Sequence, residues 1–331
     1  MAQQQEPDAP GIVEAGWQGI TVRIPQDWNI GAISGDSTAG YVRWDDDDMP
    51  RLEVKWASEK GFVDLNAVID KYLRDIQKGR KKQAPEIEIT RDVKLTGRGK
   101  RKKSGAKCFH WKAELEGYGA AWVCKDCGRT VIAQLMMPPG QTGAQAEAFA
   151  GAVLMGIDDH PNGGWTLWSA YGLDVRVPEE FSLSGQKLMA GLIELEFAKE
   201  TEQIKVARWG MASVALKRKS LKDWVGSQLG KELRKHGATG DEGTVKGHEG
   251  LLLEGSNVGG VQLLQRFIAH CREQLYADRL IARAWHCEPM NDIYYVQTFV
   301  DRKNVELVDE IVARIQCHPG VGDDTAQCSG D

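Results

Sequence analysis

Hydrophobic and polar residues alternate along this chain in a series of segments that occurs twice. GITVRIPQDW at Gly19–Trp28 returns as GLDVRVPEEF at Gly172–Phe181, with the strand, the proline and the aromatic residue in the same order. RLEVKWA at Arg51–Ala57 returns as QIKVARWG at Gln203–Gly210. Alternation with a period of two predicts β-strands that bury one face. Because the segments recur in the same order, the sequence predicts two copies of one structural unit.

Each copy also contains a segment with the period of an amphipathic helix. The first is LNAVIDKYLRDIQK at residues 65–78, and the second is SLKDWVGSQLGKELRK at residues 220–235. Near the end of each copy a strand-like stretch leads into a further helical segment, at residues 144–157 and 304–316. Each unit is therefore predicted to contain strands, a helix, three or four more strands and a closing helix.

This order of elements predicts an α+β fold. Strands joined by short turns are antiparallel, and helices must cover the apolar faces of the sheet. We therefore expect two tandem three-layer α/β/α sandwiches, each with a mainly antiparallel sheet flanked by helices. The copies are predicted to meet in DDHPNGGW, where proline and glycine interrupt both patterns. The predicted organisation is a disordered tail at 1–10, units at 11–158 and 159–318, and a flexible tail at 319–331.

The arrangement resembles the PsbP/Mog-type α/β/α sandwich superfamily. The resemblance is carried by the opening strand with Pro25 and Trp28, a second hairpin with a tryptophan, a Trp-x-Cys strand with its turn, and the closing helix. It covers nearly all of both copies and implies the fold given above. Members of the superfamily bind a small GTPase or the photosynthetic water-oxidising complex. The sequence has no residue signature for either partner, so the resemblance implies a fold and no activity.

The composition indicates a soluble globular protein. Of the 331 residues, 42% are hydrophobic and 27% are charged. No secretory signal is visible, and no apolar run approaches the ~18 residues of a membrane span. Seven irregularly spaced cysteines do not resemble a disulfide framework, so a cytoplasmic location is expected. No catalytic motif is recognisable, which favours a non-catalytic binding or scaffold protein with an unidentified protein partner.

The segment CFHWKAELEGYGAAWVCKDCG holds three cysteines and a histidine. If Gly117–Tyr118 forms a hairpin turn, Cys108 opposes Cys127, and His110 lies on the same strand face as Cys108. A Cys-x-x-Cys followed by glycine is typical of a metal knuckle, in which backbone amides donate to thiolates. The sequence therefore predicts one structural Zn²⁺ bound by Cys108, His110, Cys124 and Cys127.

Two other interpretations of this cluster stay open. The Cys-x-x-Cys could be a thiol–disulfide pair, although such pairs usually begin a helix and here the strand-like TVIAQLMM follows. The four residues could also be unrelated side chains on a hairpin. When His110 is aligned with His248, only that histidine and Cys287 remain in the second copy, which indicates a degenerate site. An inserted segment adds His270 and Cys271, so a second metal site at Cys271 and Cys287 also stays open.

Charge is concentrated in two runs. Residues 78–107 contain twelve Lys or Arg and three acids, a net charge of +9. The alternative function is therefore nucleic-acid or ribonucleoprotein binding through this basic segment, although no aromatic residues interleave to stack on bases. The acidic run in WDDDDMP is predicted to be a solvated hairpin turn. The candidate polyanion-binding residues are Lys81, Lys82, Arg98, Lys100, Arg101, Lys102 and Lys103.

Overall fold

The chain forms two compact units, Met1–Leu167 and Trp168–Asp331. The computed structural model describes residues 11–59, 61–80, 86–97, 103, 105–161, 163–256 and 277–318. The division comes later in the chain than the predicted boundary at 158. As a result, the segment that follows the predicted closing helix of the first copy belongs to the first unit.

The first unit is built on a seven-stranded antiparallel sheet with the order β3-β4-β5-β9-β8-β7-β6. A separate hairpin of β1 and β2 precedes it. The strands are β1 Ile12–Trp17, β2 Ile20–Pro25, β3 Asn29–Gly35, β4 Ala39–Asp45, β5 Pro50–Ser58, β6 Glu88–Arg91, β7 Lys107–Lys112, β8 Glu116–Val123 and β9 Arg129–Met137. The helices are α1 Leu65–Gly79 and α2 Gly143–Gly156.

Helix α1 forms where the amphipathic pattern predicts it. Asp64 caps its first turn by accepting a hydrogen bond from the backbone N–H of Asn66. Its apolar face packs on β7, β8 and β9, so the core on this side of the sheet is mostly aromatic and aliphatic. The buried residues of this cluster are Ile69, Tyr72, Leu73, Phe109, Trp111, Ala121, Ile132 and Met136. Helix α2 packs on β8, β9 and β2.

The second unit has the sheet order β12-β13-β14-β18-β17-β16-β15, which corresponds strand for strand to the order in the first unit. The strand β10 Trp165–Ala170 crosses the division between the units. The strands that follow are β11 Leu173–Pro178, β12 Ser182–Met189, β13 Leu192–Lys199, β14 Glu202–Trp209, β15 Thr239–Val245, β16 His248–Ser256, β17 Arg279–Cys287 and β18 Asp292–Val300. Its helices are α3 Ala212–Ala215, α4 Leu221–Lys235, a 3-10 turn at Arg302–Asn304, and α5 Leu307–Ala313.

The predicted fold class is wrong. The chain is mostly β-structure organised around two large antiparallel sheets, and it is not a pair of α/β/α sandwiches flanked by helices. Two of the helices are short, since α3 spans 4 residues and α5 spans 7. In the described parts of the chain, no helix has the length and apolar character needed to span a membrane.

The edge strands of the two large sheets are among the strands that the sequence analysis did not predict. The edge strands are β3, β6, β12 and β15, and most of their residues are exposed or only partly buried. An edge strand pairs on one side only and often carries polar residues on both faces, so it lacks the alternation that marks the interior strands. The backbone ladder, rather than side-chain burial, holds these strands in the sheet.

Candidate metal centre

The hairpin of β7 and β8 has a different register from the predicted one. Cys108 pairs with Ala120, and His110 pairs with Tyr118. The predicted pairing of Cys108 with Cys127 is wrong because the turn comes earlier, at residues 113–115. His110 is held on the strand, where its Nε2 lies 2.7 Å from Glu116 Oε1.

The glycines that suggested a turn lie inside β8 for a packing reason. Gly117 pairs with Trp111, and Gly119 pairs with Phe109. A Cβ at Gly117 would lie 2.7 Å from the Trp111 ring, and one at Gly119 would lie 2.1 Å from the Phe109 ring. Glycine is therefore required here so that the two buried rings can lie across the neighbouring strand.

Cys124 and Cys127 lie in the tight turn that joins β8 to β9. Cys124 directly follows β8, and its backbone N–H donates to the carbonyl of Arg129 at 2.8 Å. The backbone N–H of Gly128 donates to the Cys124 carbonyl at 3.0 Å, and its φ of 71° is one that glycine adopts readily. The turn buries Cys124 and leaves Cys127 exposed. The Cys-x-x-Cys-Gly segment thus has the compact shape of a knuckle.

The other half of the centre comes from the segment after α2. Asp158 forms two backbone hydrogen bonds with Thr21 of β2, each 2.8 Å long. The next residue, Asp159, is buried and accepts a hydrogen bond from the indole Nε1 of Trp122 at Oδ2, at 2.6 Å. These contacts fix the backbone and the side chain of Asp159 and bring His160 to the Cys124–Gly128 turn.

Four potential ligand atoms converge at this point. One atom from each of Cys124, Cys127, Asp159 and His160 lies within 4.8 Å of every other. His160 Nδ1 is 3.5 Å from Cys124 Sγ and 2.7 Å from Asp159 Oδ1. Thiolate sulfur, imidazole nitrogen and carboxylate oxygen are all metal ligands, so this group could hold a metal ion. Cys108 and His110, from the predicted set, do not belong to it.

The protonation of the group is set by burial and hydrogen bonding. Burial raises the pKa of the Cys124 thiol to about 11. Burial also opposes ionisation of Asp159, but hydrogen bonds from Trp122 and His160 outweigh it and hold the pKa of this carboxyl below its usual value. In the metal-free protein the centre therefore combines a neutral buried thiol with an ionised carboxylate.

Two cations lie beside the group. Arg129 Nη1 donates to the carbonyl oxygen of Asp159 at 2.7 Å. The ammonium of Lys103 lies 5.0 Å from the centroid of the Trp122 ring. The negative charge of Asp159 acts on both groups and opposes the lowering of their pKa by burial. Two cations therefore lie close enough to the group to interact with anionic ligands.

Most of the predicted polyanion site lies outside the described residues. Of its candidate residues only Lys103 is described, and its ammonium donates to the carbonyl oxygen of Met155 at 2.8 Å, inside the unit. Lys81, Lys82, Arg98, Lys100, Arg101 and Lys102 lie outside the described residues. Nearby cations of the basic segment pair with acids, as Arg80 does with Glu114 and Arg91 with Asp70. Nucleic-acid binding stays a prediction.

A second group of four potential ligands lies in the second unit. It consists of His248, Cys287, Cys317 and His318. The expected alignment of His248 with His110 is wrong. Trp122 and Trp285 occupy the same place in the Ala-Trp-x-Cys of each copy, so they serve as reference points. In the first unit His110 pairs with Tyr118, which comes before Trp122 on β8. In the second unit Trp285 pairs with Gly250, and His248 lies two residues before Gly250, on the opposite side of the reference tryptophan. His270 and Cys271 lie outside the described residues.

Sequence reasoning missed the residues that follow the closing helices. Asp159 and His160 are distant along the chain from the Cys-x-x-Cys, so no local motif joins them. The available signal was the repeat itself. The first copy closes with Ile-Asp-Asp-His at residues 157–160, and the second with Ile-Gln-Cys-His at residues 315–318. Each copy also has Ala-Trp-x-Cys earlier in the chain. A cysteine at the end of that motif and a histidine after the closing helix therefore recur at matching places in the two copies.

No protein-family model matches this chain, and no curated protein matches it. The apo structure of the immunity protein TplEi of T6SS from Pseudomonas aeruginosa is 11% identical, with a TM-score of 0.35, over 93% of this chain and 98% of that chain. TplEi complexed with "L" peptide gives 11% identity and a TM-score of 0.31, over 94% and 100%. Scores this low support no statement about the fold or function of this chain. The resemblance to the PsbP/Mog superfamily stays a prediction.

Proposed function

We propose that this protein is a non-catalytic binding or scaffold protein whose first unit is held together by one structural Zn²⁺. Its ligands are Cys124, Cys127, Asp159 and His160. The observation that carries the proposal is the convergence of these four ligand atoms, from two distant segments, to within 4.8 Å of one another. Zinc takes sulfur, nitrogen and oxygen ligands of these kinds in tetrahedral sites.

The distances fit a tetrahedral ion with a small rearrangement. Zn–S bonds of about 2.3 Å and Zn–N bonds of about 2.0–2.1 Å place sulfur and nitrogen about 3.6 Å apart. The observed distance from Cys124 Sγ to His160 Nδ1 is 3.5 Å. The distance from His160 Nδ1 to Asp159 Oδ1 is 2.7 Å, a hydrogen bond, and zinc would widen it to about 3.4 Å as the shared proton leaves.

The charges near the centre support the same ligand set. Two thiolates and one carboxylate bring three negative charges, and Zn²⁺ leaves one of them uncompensated. A partly buried site of this kind needs a cation nearby. The guanidinium of Arg129 and the ammonium of Lys103 supply that charge, since both interact electrostatically with Cys124 and Asp159.

The proposed ion fastens the Cys124–Gly128 turn to the segment that follows α2. Four protein ligands leave no open position for a substrate, which is why we assign the ion a structural role. The thiol–disulfide alternative is less well supported. Cys124 lies between two strands instead of at a helix N-terminus, and burial raises its pKa to about 11, whereas redox thiols have lowered values.

Zinc content measured by native mass spectrometry tests the metal proposal. Replacing Cys124 by serine should reduce the zinc content by one ion per chain. Cys108→Ser is the matched control, because Cys108 is a partly buried cysteine on the neighbouring strand β7 and belongs to neither ligand group. The proposal fails if Cys124→Ser keeps the full zinc content. Loss of zinc in Cys108→Ser would instead favour the ligand set predicted from sequence.

The binding role needs its own experiment. The full chain, loaded with zinc, is immobilised and used to capture partners from lysate, and the recovered complexes are separated by size. A partner that remains bound at fixed stoichiometry would support a scaffold role. A broad substrate screen runs in parallel, and turnover in that screen without any stable partner would contradict the proposal.

A further inference from the structure

The four ligand residues of the second unit come from three separate places in the chain. Cys287 is the last residue of β17, and His248 is the first residue of β16. Cys317 and His318 follow α5. One atom from each lies within 4.8 Å of every other. The fold therefore brings two thiols and two imidazoles together although no local motif connects them.

The distances within this group match the edges of a zinc tetrahedron. His318 Nδ1 lies 3.4 Å from Cys287 Sγ and 3.5 Å from Cys317 Sγ. His248 Nε2 lies 3.5 Å from Cys317 Sγ. Zinc bonds of about 2.3 Å to sulfur and about 2.0–2.1 Å to nitrogen require sulfur–nitrogen edges of about 3.6 Å. Three separate edges therefore fit the same central ion.

Hydrogen bonds account for this pattern only if one proton is shared, with the Cys287 thiol donating to the carbonyl oxygen of Cys317 at 3.7 Å. His318 Nδ1 is in contact with two sulfur atoms, so a single ring N–H would have to be shared between them. Cys317 Sγ is in contact with two imidazole nitrogens, and as a thiol it could donate to one of them and accept from the other. A cation between the four atoms satisfies every contact at once, with both cysteines as thiolates and both histidines neutral.

Burial and charge also suit zinc. Cys287 and Cys317 are 0% and 2% exposed. Two thiolates neutralise Zn²⁺, so the loaded site has no net charge and needs no buried counter-ion. This differs from the first unit, where the carboxylate of Asp159 adds a negative charge and Arg129 lies beside it.

The two ligand sets differ at two places, with His248 instead of Cys127 and Cys317 instead of Asp159, and the second difference changes the partner of a buried indole. In the first unit, Trp122 donates to Asp159, the residue before His160. In the second unit, the residue before His318 is Cys317, and the indole Nε1 of Trp285 is buried without an acceptor among the described residues. The exchange of a carboxylate for a thiol thus removes the acceptor of the indole and adds a second sulfur to the ligand set.

We infer that the second unit binds its own Zn²⁺ through His248, Cys287, Cys317 and His318. The ion fastens the segment after α5 to the ends of β16 and β17. This inference goes beyond the proposed function of the first unit and does not depend on it, because the two ligand sets share no residue.

Native mass spectrometry of the full chain, purified from zinc-supplemented medium, tests the inference. The wild type should carry two zinc ions, and Cys317→Ser and Cys124→Ser should each carry one. The double variant should carry none, and the control Cys108→Ser should carry two. If the wild type carries one ion, and Cys317→Ser retains that ion while Cys124→Ser loses it, the inference is overturned and the proposed function stands. If the wild type carries one ion, and Cys124→Ser retains it while Cys317→Ser loses it, the inference is supported and the proposed function is overturned.

A second measurement avoids variants that fail to fold. The wild type is alkylated with and without a zinc chelator in urea just below its unfolding midpoint, where local opening exposes buried thiols that no metal holds, and each cysteine is followed by peptide mass spectrometry. Cys287 and Cys317 should react at least tenfold faster after chelation, whereas the rate at Cys108 should not change. Equal rates for Cys287 and Cys317 in the two conditions would overturn the inference.

Discussion

Replacing Trp122 by phenylalanine should destabilise the first unit more than the same replacement of Trp285 destabilises the second. Both indoles are buried, with 1% and 0% of their surface exposed. Trp122 Nε1 donates to Asp159 Oδ2 at 2.6 Å. Trp285 Nε1 has no acceptor in the described part of the chain. The two substitutions remove the same ring atoms and keep an aromatic ring beside Lys103 in one unit and Tyr294 in the other, so the lost hydrogen bond is the main difference.

The expected difference follows from the charge on the acceptor. The pKa of Asp159 is below its usual value, so this carboxylate is ionised at neutral pH and the lost bond is charge-assisted. Losing a hydrogen bond to a charged group costs about 1.5–3 kcal/mol. Removing the unpaired N–H of Trp285 instead relieves a desolvation penalty of about 1–3 kcal/mol. Trp122→Phe should therefore reduce the free energy of unfolding by at least ~1.5 kcal/mol more than Trp285→Phe does.

The assay uses metal-free protein so that zinc does not mask the effect. Hydrogen exchange measured by mass spectrometry across a urea series gives an unfolding midpoint for peptides of each unit separately. This separation is necessary because a chain of two units need not unfold in one step. Equal losses of stability in the two variants, or a larger loss in Trp285→Phe, would refute the reasoning.

Two further substitutions test the packing and a partly buried ion pair. Gly119→Ala should lower the free energy of unfolding by about 1–3 kcal/mol in urea titration, since its Cβ would lie 2.1 Å from the Phe109 ring, and an unchanged midpoint would contradict this. Gly156→Ala is the control, because there a Cβ meets nothing within 4 Å. Burial opposes ionisation of Asp46, but hydrogen bonds from Arg51 and from backbone amides lower its pKa below 3.8. The stability that the ionised Asp46 carboxylate adds is complete above this unperturbed value, and it is lost as the pH falls through the lower pKa of the folded state. The difference in urea midpoint between wild type and Asp46→Asn should therefore shrink as the solution becomes more acidic. A difference that stays constant would contradict this.

The interior of each unit could be predicted from sequence because burial on the sheet leaves a clear alternation. Ile20, Val22 and Ile24 of β2 are all buried, as the period of two requires. The edge strands could not be predicted in this way. Every residue of β6 is exposed, so its place in the sheet depends on backbone pairing with β7, which leaves no hydrophobic signature.

The centre was predicted in part for a similar reason. The Cys-x-x-Cys-Gly of Cys124 and Cys127 is a local motif, and its compact turn can be read from adjacent residues. The other predicted ligands, Cys108 and His110, depended on the register of the hairpin. That register was predicted wrongly because Gly117 was interpreted as a turn residue, whereas it lies inside a strand and makes room for the Trp111 ring. Asp159 lies on a segment that only the tertiary fold brings to the turn, so local spacing could not identify it.

X-ray absorption at the zinc edge of the wild-type protein tests the central claim most directly. The two ligand sets contain two sulfurs each, with one nitrogen and one oxygen in the first unit and two nitrogens in the second. The average zinc should therefore show two sulfur neighbours at about 2.3 Å and two nitrogen or oxygen neighbours at about 2.0–2.1 Å. Three sulfurs and one nitrogen per zinc, as a site of Cys108, His110, Cys124 and Cys127 would give, would contradict the account, and so would protein that holds no zinc.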